Sequence, residues 1–399
     1  MKCATGALRA RRLVKLACLW GALCASGCRH GGPSPTSVAK PIVAAVLPDV
    51  KGDARAEFSA GLLLLKQGKK HQSEARARFV KAAELEPKFF EAWHNLGWLD
   101  ASRGNFARAA NEFRKALDIQ PASRATAMAL GEAWRRAGSF KKAARFYGER
   151  LAAAPTDGEL RNRYIQVLRD AGDLPEALNQ TRMALGQAGD NVNQTVFAYN
   201  SLGLIYYKME KFELAETALR KALDLDGKSP FVWNNLGLVA FARGRDQEAF
   251  VNFQKASEFD PKFAEARINK AVIYLDCGDY KRARTELQKA IDANDDDADA
   301  YVALGVAARG QGKFEDARKA YEKALDLEPE HAAALFDSGI LFMDYDKSPA
   351  RARDSFQLFL DVADEDDGRR KDAEDRLKEL KASEKRAATS EKKSAEGKN

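Results

Sequence analysis

The chain has 399 residues, with 65 basic and 58 acidic side chains, a formal net charge of +7, four histidines and five cysteines. Five of its cations, Lys2, Arg9, Arg11, Arg12 and Lys15, stand in a first stretch without an acid, and setting residues 1–27 aside leaves 60 basic against 58 acidic residues, net +2. So balanced a body carries no electrostatic footprint for nucleic acid, and His30, His71, His94 and His331 are too scattered to hold a metal.

Behind the basic stretch, Leu16 to Ala25 run uncharged, and Ser26-Gly27-Cys28 follow. This is the layout of a secretory signal, and its ten apolar residues fall short of the roughly 20 that span a bilayer. Ala25-Ser26-Gly27-Cys28 resembles a bacterial lipobox, with Ala25 where Leu is commonest. The resemblance implies removal of signal peptide 1–27 and diacylation of Cys28 as the new N-terminus. Because Arg29 and not Asp follows, it also implies residence on the periplasmic face of the outer membrane. An ordinary signal cleaved elsewhere, or a cytoplasmic protein, is the alternative. Cys3, Cys18 and Cys24 would leave with the signal, so with Cys28 acylated Cys277 has no disulfide partner in the chain. Residues 28–53, with Gly31-Gly32-Pro33 and Pro35, read as a flexible tether spanning roughly 25–30 Å as a coil. Its apolar stretch Pro41 to Pro48 suits either a spacer or docking on a partner or on the first repeat.

From residue 54 one phrase returns with a period of 34. It reads Trp93, Leu96, Gly97, Ala109, Phe113, Ala116, Pro121; then Trp233, Leu236, Gly237, Ala249, Phe253, Ala256, Pro261; then Tyr301, Leu304, Gly305, Ala317, Tyr321, Ala324, Pro329. Apolar residues at helical spacing, a glycine-bearing turn such as Arg103-Gly104-Asn105, a second helical run and a closing proline predict a helical hairpin per unit. Gly97 and Ala109 are small where the paired helices approach. The phrase resembles the tetratricopeptide repeat, or TPR. That resemblance implies an all-α fold, a right-handed superhelical solenoid of about nine hairpins over residues 54–363. The repeats fall near 54–89, 90–123, 124–157, 158–191, 196–229, 230–263, 264–297, 298–331 and 332–363. The fourth repeat has Tyr164-Ile165 for Leu-Gly, and four extra residues near Gly189–Asn193 follow it. A joint between two blocks is expected there. Residues 364–382 are expected to form a capping helix, with Ala373, Leu377 and Leu380 on one face, and residues 383–399 a disordered charged tail.

Nothing in the body points to catalysis. Asp295, Asp297 and Asp299 lack the glycine and glutamate of a calcium loop and fit a helix cap, and Gly310-Gln311-Gly312-Lys313 lacks Walker spacing. The expectation is a protein that is not an enzyme and uses no cofactor or metal. Trp93 and Trp233 fall at the family's packing place and Trp134 at its tyrosine place, so all three are expected in the core. By resemblance, places two, five, nine and twelve of each repeat face the groove. These include Trp98, a polar set with Glu132, Arg135, Gln166 and Arg169, and an apolar set with Phe197, Asn200, Tyr207, Phe231, Asn234, Leu238 and Phe241. Such a lining suits an amphipathic helix or extended peptide. Lipid-anchored proteins of this kind assemble type IV pilus secretins or serve gliding-motility and other envelope machines. The expected partners are therefore envelope proteins, and the membrane through the lipid. A soluble secreted or cytoplasmic adaptor, or a peptidoglycan-associated accessory protein, is the alternative.

Overall fold

A computed structural model describes residues 40–42 and 50–396. The signal segment and Cys28 lie outside them. The described residues are all-α, with nine helical hairpins and one closing helix. The first five hairpins pair α1 (Gly52–Lys66) with α2 (Gln72–Leu85), α3 (Phe90–Ser102) with α4 (Phe106–Ile119), α5 (Arg124–Arg136) with α6 (Phe140–Ala153), α7 (Gly158–Asp170) with α8 (Leu174–Ala188), and α9 (Val192–Lys208) with α10 (Phe212–Leu225). The other four pair α11 (Pro230–Ala242) with α12 (Asp246–Phe259), α13 (Ala264–Asp276) with α14 (Tyr280–Ala293), α15 (Ala298–Gly310) with α16 (Phe314–Leu327), and α17 (Ala332–Asp344) with α18 (Pro349–Val362). The closing helix is α19 (Arg370–Glu396).

The repeat phrase explains each hairpin. Ser123, Asp157, Asn191 and Asp297 accept a backbone N–H of the first turn of the helix that follows, so Asp297 is a cap as expected. The two helices of a hairpin meet where one lacks a side chain. A Cβ on Gly97 would stand 2.7 Å from the Phe113 ring, and one on Gly237 would stand 2.5 Å from Phe253. In the fourth hairpin the bulk is exchanged between helices, since Ile165 and Thr181 hold the same two places and both are fully buried.

The chain divides into two compact units at Gly227–Lys228, between the fifth and sixth hairpins. That corrects the joint expected near the fourth repeat. The four extra residues there are built into α9, which has 17 residues where α3, α5 and α7 have 13. One added turn of about 3.6 residues leaves the buried face of a helix in phase, so the stack runs through the insertion. Helices contact mainly those next in sequence. In the N-terminal unit the core passes through Phe79 and Phe113 to Tyr147 and Ile205.

Three further expectations need revision. Trp134 is buried, but Trp93 and Trp233 are half-buried, each under a lysine ammonium: Lys115 at 3.9 Å and Lys255 at 4.0 Å from the ring centre. Residues 383–396 are helical and not disordered. No Gly or Pro occurs between Gly368 and Gly397, the run is rich in strong helix formers, and Arg353 pairs with Glu384 at 2.8 Å. Cys277 is disulfide-bonded and is not the unpaired thiol expected. The capping face itself is as expected, with Ala373, Leu377 and Leu380 buried against Phe356 and Phe359.

Candidate protein-binding surface

The site residues lie on first helices of successive hairpins, and each unit carries its own set. In the N-terminal unit Trp98 is half-buried on α3 and packs against the cores on both sides of its hairpin. Beneath it, Asp100 is fully buried and takes a bidentate bond from Arg76, whose Nη2 also reaches Glu112 Oε1 at 2.8 Å. Burial and the neighbouring Asp100 push the Glu112 carboxyl up to about 8, against the pull of Arg76.

On α5 the geometry removes Arg135 from the partner-reading set. Its guanidinium is buried, bonded to Glu132 at 2.6 and 2.8 Å and to Asp170 at 2.5 Å. Burial works against its charge, but the two carboxylates more than offset this and raise it. Glu132, Gln166 and Arg169 are buried as well. The polar stretch is thus an internal ion-pair network, because charges this deeply buried must be matched by neighbours. Phe197, Asn200 and Tyr207 line α9 as half-buried side chains, with Tyr207 edge-on to Phe212 at 5.9 Å.

In the C-terminal unit Phe231, Asn234, Leu238 and Phe241 share one face of α11. Phe231 is 46% exposed and meets Phe263 edge-on at 4.9 Å, while Leu238 and Phe241 are half-buried. Asn234 is buried, and its Oδ1 accepts from Asn269 Nδ2 at 2.8 Å, so it joins two hairpins and does not face a partner. Of the sequence-predicted set, Trp98, Phe197, Tyr207, Phe231, Leu238 and Phe241 therefore remain as apolar surface, and Arg135 and Asn234 turn inward.

A feature the repeat pattern did not indicate lies on α3. Asn95 and His94 hold the backbone of Lys40–Ile42, so part of the expected tether is docked, and on the second hairpin, not the first. Its sequence signal was the apolar Pro41–Pro48. Among the described residues no group of three His, Cys, Asp or Glu could hold a metal ion, and no helix is long and apolar enough to cross a membrane.

Comparison with known proteins agrees with the hairpin geometry. Residues 90–123 and 302–369 each match the tetratricopeptide repeat, and residues 207–335 match the TPR domain of cytochrome c-type biogenesis protein H. The chain is 26% identical over 165 residues to anaphase-promoting complex subunit 3 of Schizosaccharomyces pombe, covering 40% of this chain and 24% of that protein. It is 31% identical over 132 residues to protein O-mannosyl-transferase TMTC1 of Homo sapiens, covering 33% of this chain and 14% of that protein. The chain thus spans a quarter or less of the curated relatives it matches. The crystal structure of the APC/C hetero-tetramer Cut9-Hcn1 superposes with a TM-score of 0.53 at 16% identity, over 82% of this chain and 64% of that one. Such solenoids are typically protein-binding scaffolds. Period, helix pairing and these matches agree that the chain is a tetratricopeptide repeat protein, an all-α scaffold for protein–protein interaction.

Proposed function

We propose that this protein is a non-catalytic scaffold, lipid-anchored through Cys28 to the periplasmic face of the outer membrane. There it captures an amphipathic helix or extended peptide of envelope proteins and helps assemble an envelope-spanning machine of the type IV pilus secretin or gliding-motility kind. The observation that carries protein capture is the α11 face. Phe231, Leu238 and Phe241 recur at i, i+7 and i+10 with an exposed ring at the outer end, the spacing on which an amphipathic partner lays its own stripe. The anchor rests on the sequence from Leu16 to Cys28. Lipidation of Cys28 and a disulfide from that sulfur to Cys277 exclude each other, so intact mass without reductant tests the anchor directly.

Two measurements test the proposal. Wild type should fractionate with membranes and Cys28→Ala should not; both proteins in the soluble fraction would remove the anchor. Crosslinking in native envelopes should capture a protein partner that Phe231→Asp loses while helicity is kept. Unchanged crosslinks would move the binding surface off α11, and retention on cell-wall sacculi with no protein crosslink would favour the peptidoglycan-associated alternative.

A further inference from the structure

The backbone of Lys40–Ile42 meets α3 through three hydrogen bonds. Ile42 N–H donates to Asn95 Oδ1 at 2.8 Å, and Asn95 Nδ2 donates back to the Ile42 carbonyl at 3.1 Å. His94 Nε2 lies 3.1 Å from the Lys40 carbonyl, an acceptor only, so Nε2 carries the proton; the neutral ring's Nδ1 then accepts the Thr126 hydroxyl at 2.9 Å. Asn95 is fully buried and His94 almost so. Each of the three bonds to Lys40–Ile42 goes to its main chain. A buried carboxamide that both gives to and takes from a single residue reads an extended backbone without regard to its side chain, as a neighbouring strand would. Asn269, at the same place of its own repeat, instead bonds Asn234 of the adjoining hairpin.

We propose that Lys40–Ile42 is an intramolecular ligand, a strap that fills a main-chain-reading site built from His94 and Asn95 and keeps an extended peptide from another protein out until the strap is displaced. The occupant is this chain's own segment, and the partner it stands in for is an extended peptide recognised by its backbone. The competition half rests on the protein-binding reading; the strap itself does not.

The test uses the full chain. Ile42→Pro removes the N–H that Asn95 accepts while leaving the site residues untouched. The probe is a blocked synthetic peptide of residues 38–43. We expect wild type to protect the Ile42 amide from hydrogen exchange and Asn95→Ala to speed that exchange at least tenfold. Ile42→Pro should bind the peptide at least tenfold more tightly than wild type, and adding Asn95→Ala to it should abolish the gain. Should Asn95→Ala not fold, Asn95→Leu, which keeps the volume and loses both acceptor and donor, replaces it in both measurements. An Ile42 amide that exchanges freely in wild type overturns the strap and leaves the scaffold reading standing. Equal peptide affinity in wild type and Ile42→Pro overturns the competition, and so does capture that survives loss of Asn95.

Discussion

At the scale of single residues, two positions depart from what the fold asks of them. Six hairpin turns place a glycine at φ between 70° and 81°, and in the fifth hairpin Glu210 takes that place at φ 57°. A side chain in the left-handed region costs roughly 1–2 kcal/mol, part of which glycine returns through a looser unfolded chain. Glu210→Gly should therefore stabilise the N-terminal unit by about 0.5–1 kcal/mol, read as a higher urea midpoint; an unchanged midpoint would mean the glutamate side chain compensates. The anomaly is legible in the sequence, where Lys208-Met209-Glu210-Lys211 replaces the usual glycine turn. Glu112 is different, because its acidity depends on burial, on Asp100 of its own hairpin and on Arg76 of the first. Folded, it holds its proton up to about pH 8, whereas unfolded it releases it near the ordinary carboxyl value of 4.5. Between those limits the folded state binds more protons, so stability falls as pH rises. Glu112→Gln should flatten this slope and make the unit more stable than wild type at pH 8, by on the order of 1–3 kcal/mol. Parallel pH–stability curves for the two proteins would show that Arg76 keeps the carboxylate ionised.

Between elements, the 34-residue period carries the hairpins because helix spacing, turn and cap all repeat with it. What it hides is how bulk is shared across a hairpin. Seven glycines of first helices each face a bulky side chain of the second, from Gly61 against Phe79 to Gly339 against Phe356. Ile165 with Thr181 reverses the assignment and keeps the volume, so the fourth repeat is poor in motif yet fully packed. Ile165→Gly should cost about 3–4 kcal/mol through the cavity and the helix-interior glycine, and Thr181→Phe about 1–3 kcal/mol through overpacking. Made together, they should recover at least 1 kcal/mol in a double-mutant cycle; strict additivity would show that the two positions do not compensate. The tail is helical for a local reason. Absence of aromatics signals a segment unable to build a core, but α19 needs only Ala373, Leu377 and Leu380 for that, and helix propensity carries the remainder.

For the whole molecule, the sequence conveyed what is periodic and missed what crosses the period. Ile42 and Asn95 lie 53 residues apart, no multiple of the repeat, so the docked strap could not be read from the phrase. The inward turn of Arg135 depends on Asp170, 35 residues on in the next repeat, and only stacking brings the two together. The unit boundary at Gly227–Lys228 falls between two well-formed hairpins, with no break in period to mark it. Because helices contact mainly their sequence neighbours, stability is close to a sum of hairpin and nearest-interface contributions, and damage at one end should stay there. Leu377→Ala removes a buried side chain that closes the last hairpin against Phe356 and Phe359, at a cost of about 2–3 kcal/mol. Hydrogen exchange should then accelerate through α18 and α19 while α1 to α10 keep their wild-type rates. Faster exchange throughout would show that the two units unfold as one cooperative body, and the nearest-neighbour account would fail.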